Sequence, residues 1–167
     1  MGHMKTLLLM RHAKSSWKDG SLTDHDRPLN KRGKKTAPLM GHLLREKNLV
    51  PDLIVSSTAV RARSTAEAAS EASGYPSGVT LTDELYLATA GEILRYAQER
   101  TEDTLDRVML VGHNPGMEDL VNMLSGRREP FPTAALAVFE LGIDSWRRLE
   151  LGVEVKLSNL SRPRELE

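Results

Sequence analysis

The sequence predicts an α/β fold, a three-layer α/β/α sandwich with a mostly parallel central sheet in a single domain. Three apolar runs of strand length, residues 6–10, 52–56 and 107–111, are each followed by a segment with helical periodicity. Strands alternating with helices pack as a mainly parallel sheet covered on both faces. The 167 residues are an ordinary length for one domain, and no repeat, low-complexity tract or shift in composition divides them. The expected organisation is an expression scar over residues 1–4, the folded domain over 5–160 and a polar C-terminal tail over 161–167 that frays.

The elements follow in order. The run ending at Met10 leads into a polar stretch over 14–27, with Asp19-Gly20 and Asp24-His25-Asp26, that reads as a long exposed loop. Asn30 is placed to cap a helix over 31–47 whose Leu39, Met40, Leu43 and Leu44 face inward. Pro38 lies inside that helix without an N–H for the carbonyl four residues back, which predicts a kink or a split. After the second run, Ala59, Ala62, Ala66 and Ala69 recur at helical spacing, and side chains so small let a helix lie close to a sheet. Tyr75-Pro76-Ser77-Gly78 breaks the chain before a short edge strand over 79–81.

Thr89 with Glu92 forms a capping-box pattern, opening a short helix to about Arg100. Beyond the third run, Met117, Leu120, Val121 and Leu124 define another buried helical stripe, with Asn114 as its cap and Pro115 as its first residue. Residues 134–141 and 149–157 read as two more strands around a turn at 143–146.

Composition narrows the function classes. The 23 Lys and Arg balance the 23 Asp and Glu, so nothing in the global charge draws the chain to nucleic acid or to a membrane surface. The chain has no cysteine, which excludes a disulfide scaffold, a thiolate metal site and a cysteine nucleophile. No apolar run reaches the roughly 18 residues needed to span a bilayer, and a cytoplasmic location is expected.

In open sheets of this kind ligands bind beyond the carboxyl ends of the strands. Three such places carry a cation or an imidazole: Arg11-His12-Ala13, Ser56-Ser57 with Arg61 four residues on, and Gly112-His113-Asn114-Pro115-Gly116. Brought to one rim they make a phosphate-sized cluster. Arginine offers a planar fork to two phosphoryl oxygens. A neutral imidazole is a competent nucleophile near neutral pH, and a second, protonated one can donate to the transferring oxygens. Arg61 near a helix N-terminus opposes the helix dipole, which a bound anion would explain.

These residues resemble the histidine phosphatase superfamily, also called phosphoglycerate mutase-like. The finer pattern of Met10-Arg11-His12-Ala13-Lys14-Ser15, Arg27-Pro28-Leu29-Asn30-Lys31-Arg32-Gly33 and Val111-Gly112-His113-Asn114-Pro115-Gly116 is similar to its SixA phosphohistidine phosphatase branch. The resemblance implies that His12 accepts the phosphoryl group, that Arg11, Arg61 and His113 bind it, and that Glu84 is the acidic proton donor. It implies a metal-independent phosphatase with a covalent phosphohistidine intermediate, without cofactor, acting on phosphohistidine in a protein. Alternatives are a phosphomonoesterase or mutase of the same superfamily acting on a small phosphorylated molecule, and a noncatalytic phosphoprotein-binding module. Ala13 departs from the glycine usual after the histidine. The short segment between Arg61 and His113 leaves little chain for a cap, so the expected site is open.

Other polar features take structural readings. Asp24-His25-Asp26 are adjacent in a loop and poorly placed to converge on one metal ion. His42 is read as structural or partly exposed, and Arg63 as solvated. Lys31, Arg32, Lys34 and Lys35 read as a solvated helix face, with steering of an acidic phosphoprotein as the lesser reading. Trp17 either borders the pocket or covers apolar surface.

Overall fold

A computed structural model describes residues 5–167; the expected scar at 1–4 lies outside the described residues. The elements are β1 (Lys5–Arg11), α1 (Lys31–Glu46), β2 (Leu53–Ser57), α2 (Val60–Ser73), β3 (Thr80–Thr82), α3 (Ala90–Arg100), β4 (Arg107–Gly112), α4 (Gly116–Ser125), β5 (Leu136–Leu141), β6 (Val155–Ser161) and α5 (Pro163–Leu166). The six strands form one sheet in the order β3-β2-β4-β1-β5-β6. β3, β2, β4 and β1 are parallel, and β5 and β6 continue the sheet in antiparallel pairings.

Both faces of the sheet are buried. Leu7 and Leu9 of β1 pack with residues of α3 and α4, while Leu8 and Met10 pack with the apolar sides of α1 and α2. This is the period-two alternation of a strand whose two faces are both covered. The alanines of α2 do more than meet the sheet. A Cβ added to Gly41 of α1 would lie 2.5 Å from the Ala69 carbonyl oxygen, so the two helices approach through small residues on both sides.

Local signals for helix starts match the structure. Asn30 accepts a hydrogen bond from the Gly33 N–H at 2.8 Å, and both halves of the Thr89/Glu92 capping box form. Several features differ from expectation. α1 runs unbroken through Pro38 rather than splitting. α4 begins at Gly116, one residue after Pro115, while Asn114 Oδ1 still accepts from the Glu118 N–H. β6 starts at Val155, because residues 146–148 form a 3-10 turn that buries Trp146 and Gly152 turns the chain at a φ of 101°. Within the expected tail, residues 163–166 form α5, Arg162 pairs with Glu129 and Arg32 pairs with Glu167.

Candidate active site

Strand register builds the site. Arg11 lies opposite Gly112 in the parallel β1–β4 ladder, so the next residues, His12 and His113, leave the sheet side by side with ring centroids 5.1 Å apart. The His12 N–H donates to the Gly112 carbonyl, and the His12 carbonyl accepts from the Ala134 N–H, both at 3.0 Å. Ser57, at the end of β2, places its hydroxyl 2.9 Å from His113 Nε2. The Thr65 hydroxyl accepts from the Ala13 N–H and donates to the Arg61 carbonyl, fastening the loop after β1 to α2. Both imidazoles and Arg61 are buried.

The His12 tautomer follows from its partner. Nδ1 lies 2.7 Å from the Ala13 carbonyl oxygen, which only accepts, so Nδ1 carries the hydrogen and the lone pair of the neutral ring lies on Nε2. Burial pushes His12 down to about 4, reinforced by the charges of Arg61, Arg11 and Arg27 against the opposing effect of the Ala13 hydrogen bond. Burial also lowers His113, to about 3, with His12 and Arg61 adding to it. Both rings are therefore neutral near pH 7. The protonated second imidazole expected from the sequence needs an added negative charge beside it.

Two cations frame the imidazoles. Arg61 donates to the backbone carbonyl of Asp24 at 2.7 Å and to its carboxylate at 3.0 Å. The same carboxylate accepts from Arg27 at 3.0 Å and from the Tyr86 hydroxyl at 2.6 Å. That Tyr86 bond, followed by those from the two arginines, holds Asp24 down at about 2. Arg11 donates to the Phe131 carbonyl at 3.3 Å, an oxygen shared with Asn114 Nδ2 at 2.8 Å. Burial lowers the Arg11 guanidinium from its ordinary value. Among the described residues, two buried side-chain polar atoms lack a hydrogen-bond partner, Arg11 Nε and His113 Nδ1.

The structure thus brings Arg11, His12, Arg61 and His113 together, and it pairs Glu84 with Arg100. Both Glu84 carboxylate oxygens bond Arg100 on α3, at 3.0 and 3.3 Å. Residues 83–85 form a 3-10 turn, whose roughly 120° per residue sends neighbouring side chains in different directions. Asp83 instead bonds the Thr58 hydroxyl, which lies 2.9 Å from His25 Nε2. Asp24, Tyr86, Ser57 and the Phe131 carbonyl were not assigned to the site from sequence. The one signal for Asp24 was the clustered Asp24-His25-Asp26. Trp17 is 77 % exposed, with the Arg27 guanidinium 3.1 Å from its ring centroid, so it covers a cation rather than apolar surface.

Residues 7–103 match the model of the histidine phosphatase superfamily (branch 1). An uncharacterised chloroplast protein of Arabidopsis thaliana is 33% identical over 85% of this chain and 69% of its own length. A solved structure from Agrobacterium tumefaciens, assigned as a SixA phosphohistidine phosphatase, is 32% identical with a TM-score of 0.79, covering 95% of this chain and 98% of that one. A second, from Nakamurella multipartitia with the same assignment, is 28% identical with a TM-score of 0.84, covering 97% and 98%. The chain belongs to the histidine phosphatase superfamily. Within it the architecture is SixA-like, and the enzyme class is that of phosphatases with a histidine nucleophile.

Proposed function

We propose that the protein is a metal-independent phosphohistidine phosphatase acting on a phosphorylated protein, with His12 as the nucleophile. One observation carries the reading: Arg11 Nε and His113 Nδ1 are buried without partners, and both belong to the cluster around His12. An unsatisfied buried polar group costs about 1–3 kcal/mol, and a phosphoryl group supplies acceptor oxygens for the Arg11 N–H and for His113 Nδ1 in the tautomer or the imidazolium in which it carries hydrogen.

His12 Nε2 attacks phosphorus with its lone pair. The P–N bond of the substrate breaks, and its electron pair passes to the substrate imidazole nitrogen, which takes a proton from solvent. Water then attacks phospho-His12, releasing inorganic phosphate and restoring the neutral ring. Arg11 and Arg61 hold the transferring oxygens, and their charge takes the electrostatic part that a metal plays in other phosphatases. A phosphoryl dianion also favours the His113 imidazolium, turning that ring into a charged donor as transfer proceeds. Glu84, engaged by Arg100, has no step here, because an imidazole leaving group needs less acid assistance than an alkoxide.

The test is turnover of a phosphohistidine peptide against sugar and nucleotide phosphates, with and without a chelator, by the wild type and His12→Ala. The peptide is expected to be preferred, the chelator to have no effect, and His12→Ala to lose activity by at least ~10³-fold. A labelled phosphoenzyme should form in the wild type and be absent from the variant. Preference for the small esters would favour the phosphomonoesterase or mutase reading, and binding without turnover would favour a phosphoprotein-binding module.

A further inference from the structure

Beside the phosphoryl pocket lies a groove of about 530 Å³ whose lining includes Lys14, Arg32, Thr36, Thr133, Arg162 and Arg164. It belongs to the same rim. Lys14 is two residues past His12, hence within about 7 Å of it along the chain. Thr133 precedes Ala134, whose N–H bonds the His12 carbonyl. β6 is antiparallel to β5, which is antiparallel to β1, so β6 runs with β1 and delivers Arg162 to the end where the imidazoles emerge.

Four cations, Lys14, Arg32, Arg162 and Arg164, line the groove together with the Glu165 carboxylate, and Glu129 and Glu167 pair with two of them from its margin. The chain as a whole has no net charge, so this is a local concentration. Two of these cations already hold carboxylates: Arg32 holds Glu167 at 2.9 Å and Arg162 holds Glu129 at 3.0 Å. Lys14 and Arg164 make no ion pair among the described residues. A continuous polyphosphate fits this lining poorly, because Glu129, Glu165 and Glu167 interrupt the positive charge, and no aromatic side chain lines it for base stacking.

We propose that this groove binds an acidic segment of the protein substrate, seating Asp or Glu side chains about two to four residues from the phosphohistidine at extended-chain spacing. The inference rests on the phosphohistidine-protein reading and adds a sequence preference to it. His12 and its neighbours hold the phosphoryl group common to every substrate; Lys14 and Arg164 distinguish one substrate chain from another.

Two phosphohistidine peptides, identical except for Asp or Asn at the flanking positions, test the proposal. The wild type should favour the Asp peptide roughly tenfold in kcat/KM, mostly through KM, and raising ionic strength well above ~0.15 M should shrink that ratio. In Lys14→Glu/Arg164→Glu the ratio should fall to one or invert, and in Lys14→Gln/Arg164→Gln, which adds no negative charge, it should fall toward one. Equal turnover of both peptides by the wild type, or a preference that survives in the folded variants, overturns the groove assignment and leaves the phosphohistidine reading standing. Turnover of neither peptide alongside good turnover of a small phosphate ester overturns both.

Discussion

Asp24 sits in a polar loop, yet its carboxylate is held by Arg61, Arg27 and Tyr86 together. Its removal frees the Arg61 fork from the geometry that aims it, and misplacement of such a group by an ångström can cost about 10²-fold in rate. Asp24→Ala is therefore expected to lower kcat/KM by roughly that factor, with Asp24→Asn, which keeps an acceptor oxygen, losing less. Steady-state kinetics on both variants checks this, and unchanged kinetics in Asp24→Ala would remove Asp24 from the site. The four cluster residues were legible because each lies at or within a few residues of a strand's carboxyl end, where topology converges them. Asp24 was not, since its bonds to Arg61 and Tyr86 reach across 37 and 62 positions and leave no local pattern. The direction of Glu84 was equally hidden, because the 3-10 turn over residues 83–85 sends it to Arg100 while the adjacent Asp83 bonds Thr58.

Helix starts were readable from sequence and strand starts less so. A cap is a bond between residues three apart, as with Asn30 and Gly33, whereas Leu149, Leu151, Val153 and Val155 alternate like a strand although pairing begins only at Val155. The missing information was tertiary: Trp146 is fully buried beneath that turn and donates its indole N–H to the Leu105 carbonyl. Pro38 is a different case: its missing N–H does not end α1, which continues through it to Glu46. The contact between α1 and α2 gives the prediction at this scale. Gly41→Ala gains about 1 kcal/mol of helix propensity, but its Cβ would meet the Ala69 backbone at 2.5 and 2.9 Å. Neither backbone can yield cheaply, and overpacking costs typically ~1–3 kcal/mol. A net loss of about 1 kcal/mol is expected in urea unfolding; a gain in stability would mean that the helices separate freely.

Across the whole molecule, burying two neutral imidazoles couples the site to acid stability. An ordinary imidazole titrates near 6.5, while His12 is lowered to about 4 and His113 to about 3. As pH falls from 6.5 toward 4, the unfolded chain takes up protons at these positions that the folded chain refuses, so stability declines in that window. The slope is at most about 1.4 kcal/mol per pH unit for each histidine. Asp24, lowered to about 2, acts with the same sign, adding a loss only below the usual carboxylate value of 3.8. Urea midpoints measured between pH 7 and 4 should fall steadily, and His12→Asn should flatten the curve. A flat wild-type profile would contradict neutral burial of the pair.

The strand order has a consequence for the chain's behaviour in a crowded solution. A sheet is most vulnerable to adding a foreign strand at its two margins. Here one margin is β3, three residues long, and the other is β6, whose pairing with β5 is interrupted by a bulge between Val138 and Phe139 and which presents Lys156 outward. Short, bent and charged margins are poor templates for cross-β growth. The apolar strands β1 and β4 that would nucleate it lie in the interior of the sheet, each paired on both sides.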